Sequence, residues 1–204
     1  MVKAGSIYVD STEVTVGQYG AFLSAKDGNV SGQVPECSWN DSFEPASAQQ
    51  PATHPVTNVD FCDAAAFCAW ADKRLCGRLG GGTLELDDVP VTSKSEWFSA
   101  CGGAKGQPFP YGSSHVDGAC NDATGHGSIA PVASFPACTG VYPGLYDMVG
   151  NVAEWVDACD AKHDGWDGCE TIGGSFMNTL PCSGSGLRHR DQREPSLGFR
   201  CCAD

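Results

Sequence analysis

Apolar residues recur at helical spacing in only three short stretches of this chain. Thr15, followed three residues on by Gln18, reads as a capping box, and a helix is predicted from there through Phe22 to about Lys26. Asp60 stands before FCDAAAFCAWADKR (61–74), where Phe61, Ala64, Ala65, Cys68 and Ala69 share one face, so a second helix is predicted with Asp60 as its cap. Ser93 and Glu96 form another box ahead of Trp97 and Phe98. Strand-like runs lie at 6–10, 130–135 and 171–176, and the stretches 27–58, 76–92 and 102–145 read as loop. No internal repeat and no βαβ rhythm is present. The order of helices early and strands late predicts an irregular, loop-rich α+β fold.

Composition narrows the picture. The chain is 204 residues long, 41% hydrophobic and 18% charged, which fits one globular domain spanning 1–204. Twenty-six glycines and twelve prolines exclude a helical bundle. Twelve basic residues against twenty-five acidic ones leave a net charge of -13, which argues against nucleic acid as a partner. No apolar stretch reaches the roughly 18 residues of a membrane span.

The twelve cysteines change the picture most. Zinc sites want CxxC pairs or Cys/His clusters; no CxxC occurs, and His54, His115, His126, His163 and His189 are scattered. Six disulfides are the better reading, and they place the chain in an oxidising compartment: extracellular, periplasmic or at the cell surface. No secretion leader opens the sequence, so this reading expects one to have been removed. Each bridge would contribute about 3–5 kcal/mol through loop entropy.

Several segments then speak together: DSTEVTVGQYGAF (10–22), PVTNVDFCDAAAFCAWADKRL (55–75), SKSEWFSACGG (93–103), APVASFPACTGVYPGLYDMVGNVAEW (130–155), IGGSFM (172–177) and the ending LGFRCCAD (197–204). They resemble the formylglycine-generating enzyme, or sulfatase-modifying-factor, family over nearly the whole chain. The resemblance implies a variant of the C-type lectin fold, typically with bound calcium. Members of the family oxidise a sulfatase cysteine through a copper(I)-holding cysteine pair, form domains of iron-dependent sulfoxide synthases, or bind ligands. Fold therefore leaves function open, and the site must decide it.

In the family's oxidases a GGSYM-type run leads directly into the first cysteine, with the second five residues later. Here GGSFM is followed by Asn178, the position five beyond is Ser183, and Cys182 lies one residue short. An asparagine cannot hold copper(I), which takes two soft sulfurs. Copper is therefore not expected, no catalytic residue is assigned, and Asn178, Cys182 and Ser183 are vestigial positions. His54 and His189 offer no evident iron triad, and no G-x-S-x-G elbow occurs.

The resemblance implies a calcium site in YDMVGNVAEW, with the side chains of Asp147 and Glu154 and the carbonyls of Gly150 and Val152 as ligands. A hard cation with six to eight oxygen ligands suits that set. The alternative is that both carboxylates bond loop amides without an ion. A second family site begins at Asn121 and the Asp122 carbonyl, its other ligands falling in a shortened loop at 124–127. The resemblance also pairs Cys68 with Cys201, and Cys101 with a C-terminal cysteine, for which Cys182 is the candidate besides Cys202. Nearness along the chain suggests Cys120 with Cys138 and Cys159 with Cys169; Cys37 with Cys62 and Cys76 with Cys202 complete a set.

Four of six arginines (Arg188, Arg190, Arg193, Arg200) fall in the last seventeen residues. They could form an anion pocket or brace the core against Asp157, Asp191 or Glu194. Met177, Asn178, Thr179, Arg188 and Arg190 are the expected ligand-binding residues. Trp70, Trp97 and Trp155 are expected in the core, with Trp39 and Trp166 freer to stack on sugars. Asp160, Asp164 and Asp167 could hold a cation but lack the DxDxDG pattern. Asn29 and Asn40 are glycosylation sequons. The expected function is a secreted or surface-exposed, calcium-stabilised, non-catalytic binding module with a protein or glycan ligand. Its alternatives are a copper oxidase with a site rearranged around Cys182, and a structural accessory domain.

Overall fold

The computed structural model describes residues 1–160 and 165–204. The first helix, α1 (Val16–Lys26), is capped by Thr15, whose side chain accepts from the Gln18 N–H while Gln18 answers the Thr15 N–H. α2 (Phe61–Trp70) is capped reciprocally by Asp60 and Asp63. It stops four residues short of the expected 61–74. Asp72 takes φ 58°, and the Lys73 N–H turns back to the Cys68 carbonyl at 2.8 Å.

α3 (Glu96–Gly102) departs from its expected cap. Ser95, not Ser93, accepts the Phe98 N–H at 3.2 Å. Glu96 instead reaches Arg74 Nη2 at 2.7 Å and the Gly77 N–H at 2.8 Å. A buried carboxylate gains more from a guanidinium than from one local amide.

Among the described residues, eight short strands form two four-stranded sheets. β1 (Val2–Ala4), β2 (Ile7–Val9), β3 (Arg74–Leu75) and β8 (Cys201–Ala203) run antiparallel in the order β1-β2-β8-β3. β4 (Ala153–Cys159), β5 (Gly168–Ile172), β6 (Ser185–His189) and β7 (Leu197–Phe199) form the other in the order β6-β5-β4-β7, with β4 and β7 parallel. The expected strand at 171–176 is only the end of β5, because Gly173 and Gly174 turn away at φ 88° and 70°. The expected strand at 130–135 is irregular; Ala133 sits at φ 57° and gives its N–H to Asp147.

Six disulfides tie these elements together: Cys37–Cys62, Cys68–Cys201, Cys76–Cys202, Cys101–Cys182, Cys120–Cys138 and Cys159–Cys169. One apolar cluster packs around Trp97, Met148, Val149 and Ile172, the other around Tyr19, Phe22, Phe67, Trp155 and Phe199. Trp97 and Trp155 are buried, but Trp70 is 44% exposed at the end of α2, its ring against Phe22 and Phe67. Trp39 is half-buried and Trp166 exposed. No helix among the described residues is long and apolar enough to cross a membrane.

Candidate functional site

The loop where the family's oxidases carry cysteines is closed here by an amide. Asn178 Oδ1 accepts the Ser175 N–H at 3.0 Å, and the Asn178 N–H returns to the Ser175 carbonyl at 3.1 Å. Gly174 is needed beneath it: a Cβ there would lie 2.6 Å from Asn178 Oδ1. Cys182, fully buried, is bonded to Cys101 of α3. None of the twelve cysteines is free. Met177, Asn178 and Thr179 stand exposed at the loop's crest, and Ser183 is half-buried.

Below this loop lies Asp122. Its carboxylate accepts from the Thr124 N–H and hydroxyl at 2.8 and 2.7 Å, and meets His115 Nε2 at 2.6 Å. Burial pushes the Asp122 carboxyl up, but hydrogen bonds from Thr124, His115 and Thr179 outweigh it and hold it below its ordinary value. Asn121 is occupied as well: its amide donates to Ser128 and Asn151, its side-chain oxygen accepts the His126 N–H, and its carbonyl accepts the Asn151 N–H. The expected second calcium set thus closes its own loop with protein partners.

The YDMVGNVAEW turn buries a charge cluster. Asp147, Gly150 and Asn151 all take positive φ (55°, 78°, 55°), which folds the backbone tightly. Arg200, fully buried, forks Glu154 with Nε at 2.8 Å and Nη2 at 2.7 Å, and also donates to the Tyr146 and Asp147 carbonyls. Trp97 Nε1 adds a bond to Glu154 at 2.7 Å. A carboxylate has about four acceptor sites, and three protein donors occupy most of them at Glu154. Asp147 takes the Ala133 N–H at 2.6 Å. Burial lifts its carboxyl to about 6.

A third carboxylate belongs to the cluster. Glu13 is fully buried, one oxygen accepts from Asn151 at 3.0 Å, and the other has no partner. Burial, and then the charge of Asp147, raise its pKa well above the ordinary value. Three buried carboxylates face one guanidinium, a deficit of two positive charges when all are ionised. No three His, Cys, Asp or Glu side chains among the described residues are placed to grip a metal by themselves. A cation at this turn would therefore depend on Asp147 and backbone oxygens.

The four C-terminal arginines do not converge. Arg188 pairs with Glu194 at 2.9 Å, Arg190 with Asp167 at 2.7 Å, Arg193 with Asp60 at 2.7 Å, and Arg200 with Glu154. They brace the fold; of the expected partners, Glu194 forms an ion pair, while among the described residues Asp157 and Asp191 form none with these arginines. No hydrogen bond or ion pair among the described residues joins Arg188 or Arg190 to Met177, Asn178 or Thr179. Of the acidic trio near Trp166, Asp164 lies outside the described residues, Asp167 is paired with Arg190, and Asp160 accepts the Gly168 N–H. His163 also lies outside the described residues. Asn40 is 4% exposed and donates to Asp63 at 2.9 Å, so a folded chain has no room for a glycan there; Asn29 is exposed.

The sequence profile of the sulfatase-modifying factor enzyme 1-like domain (FGE-sulfatase) matches residues 2–204. The chain belongs to this family. Among FGE-sulfatase relatives, it is 30% identical over 195 residues to the "Inactive C-alpha-formylglycine-generating enzyme 2" of Mus musculus, covering 83% of this chain and 56% of that one. It is 28% identical over 186 residues to the "Formylglycine-generating enzyme" of Mus musculus, covering 75% and 45%. The chain thus spans about half the length of these curated relatives. The solved structure of PvdO from Pseudomonas aeruginosa overlays with a TM-score of 0.66 at 21% identity, covering 97% of this chain and 80% of that one, which shows the fold.

Asn178 offers no sulfur, and Cys182 is locked to Cys101. Glu13 is the site residue that sequence reading passed over. It sits in STEVT, where nothing local marks it for burial, and charged residues are rarely buried without a partner.

Proposed function

We propose that this chain is a secreted or surface-exposed, calcium-stabilised binding module of the FGE-sulfatase family that does not carry out copper-dependent cysteine oxidation. One observation carries the reading: the loop that would hold copper has Asn178 where a sulfur is needed, and Cys182 is sealed in a disulfide. A relative named inactive, at 30% identity, supports it. Six disulfides favour an oxidising compartment. The exposed crest Met177–Asn178–Thr179 is the surface proposed to meet a protein or glycan.

Thiol titration of the denatured, unreduced protein is expected to count no free thiol. Oxygen uptake with copper(I) and a cysteinyl peptide should equal the buffer blank. One or two free thiols together with copper-dependent uptake would return the oxidase reading.

For calcium, the proposed ligands are Asp147 and the carbonyls of Gly150 and Val152, with Glu154 as a neighbouring counter-charge. The ion supplies two positive charges to a cluster in which three buried carboxylates share one guanidinium. Calcium is expected to raise the melting midpoint, by more at pH 7 than at pH 5, because Asp147 titrates near 6. A midpoint indifferent to both calcium and chelator at pH 7 would remove calcium from the proposal.

A further inference from the structure

A cavity of about 390 Å³ opens beside α2, β3 and β4. Phe61, Ala65 and Ala69 of α2, with Leu75 of β3, give it an apolar wall. Six charged side chains line it, of which Glu36 and Asp160 have partners of their own, Asp160 accepting the Gly168 N–H at 3.1 Å. Lys73 and Arg74 are committed elsewhere, Lys73 to Asp10 at 2.6 Å and Arg74 to Glu96 and Asp204 at 2.7 and 2.6 Å.

Arg190 is tied to Asp167 through Nη2, and Asp157 is in no ion pair among the described residues. Arg190 is only 5% exposed, with its guanidinium over the Phe61 ring at 5.0 Å. A guanidinium carries five N–H donors. Here Nη2 bonds Asp167, while Nε, closed off from solvent, has no partner. An unmet buried donor costs about 1–3 kcal/mol, so a guanidinium this deep normally fills its valences. The Asp157 carboxylate accepts a single side-chain hydrogen bond, from the Thr83 hydroxyl at 3.3 Å. Burial pushes it above its ordinary pKa, against the pull of Thr83, Arg190 and Arg74. The cavity therefore offers a guanidinium held by one hydrogen bond at Nη2, an anion short of donors, and an apolar wall.

We propose that this cavity binds a free α-amino acid with an apolar side chain, its carboxylate received by Arg190, its ammonium by Asp157, and its side chain laid on Phe61, Ala65 and Ala69. A carboxylate matches the guanidinium fork. The ammonium is required because Asp157 would repel a bare carboxylate. The volume lies within the roughly 300–1,000 Å³ of small-molecule sites. The inference is independent of the proposed function, since Met177, Asn178 and Thr179 do not line this cavity and neither the thiol count nor the calcium melt touches it.

Isothermal titration of the intact protein with phenylalanine tests it, alongside N-acetylphenylalanine, which lacks the ammonium, and phenylalaninamide, which lacks the carboxylate. The free amino acid is expected to bind with a sub-millimolar Kd and each blocked form at least about tenfold more weakly, the effect of losing one charge-assisted bond. Ala65→Leu, which fills the cavity without removing a hydrogen bond, and Asp157→Asn should each abolish the signal. Circular dichroism should confirm that both variants fold. The proposal is overturned if the wild type gives no heat at millimolar phenylalanine, if the blocked forms bind as well as the free one, or if folded Ala65→Leu binds undiminished.

Discussion

Removing both Cys68–Cys201 and Cys76–Cys202 by alanine substitution should cost about 7 kcal/mol of stability, while removing either alone should cost about 3. The two bridges run side by side, joining residues 133 and 126 apart in sequence. With one in place, the other closes only the short circuit 68–76 and 201–202, a loop of about ten residues, which the chain-entropy relation values at about 3 kcal/mol. With neither, the loop between α2 and β8 opens, cut by Cys101–Cys182 to a circuit of about 50 residues, adding about 4 kcal/mol more. The sum of the singles therefore falls short of the double, which is the signature of coupled constraints. A domain of this size has about 5–15 kcal/mol in all, so the double variant should sit at the edge of unfolding. Urea titration of the three variants measures this, and strictly additive losses would contradict the shared-loop argument.

The second large effect is expected at Arg200. Replacing it by leucine leaves Glu13, Asp147 and Glu154 buried without their cation. Breaking a buried pair from one side costs about 3–5 kcal/mol. The loss should shrink at pH 5. Burial already raises the folded-state pKa of Glu13 and Asp147, the latter to about 6 from an ordinary 3.8. A group raised on folding contributes stability in full below its unfolded pKa and loses it as pH climbs through the folded value. In the wild type Asp147 alone should therefore weaken the fold by roughly 3 kcal/mol between about pH 4 and 6. Without Arg200 the folded values climb further, the window extends upward, and the variant suffers most at pH 7. Unfolding free energies of both proteins at pH 5 and 7 decide it; an Arg200→Leu penalty equal at the two pH values would show that the carboxylates do not carry the effect.

Much of the fold was readable along the chain wherever the deciding bonds are local. Thr15 with Gln18 and Asp60 with Asp63 bond three residues apart, so α1 and α2 begin where their capping patterns stand. The long motif around 144–155 and the GGSF and GFRC segments carried the family. The place of Asn178 in GGSFMN already argued against a copper pair, and the structure adds that its amide closes the turn on Ser175.

Long-range bonds redirected the rest. Ser93–Glu96 looked like a capping box as good as Thr15–Gln18, yet Glu96 answers Arg74, 22 residues away. The run at 130–135 had the composition of a strand, but its Ala133 N–H serves Asp147, 14 residues on. The arginine partners lie 133 residues away for Arg193 and 46 for Arg200.

By itself the sequence determined the family, the two capped helices, the irregular mixed architecture and the lack of a sulfur at Asn178, because each rests on residue identity or on bonds within one turn. Tertiary structure alone decided which carboxylate meets which arginine, that Glu13 is buried with one oxygen unmet, and that Arg190 and Asp157 share a cavity. Those outcomes depend on chain closure over tens of residues, where burial sets the strength of a charge and no local pattern records its partner.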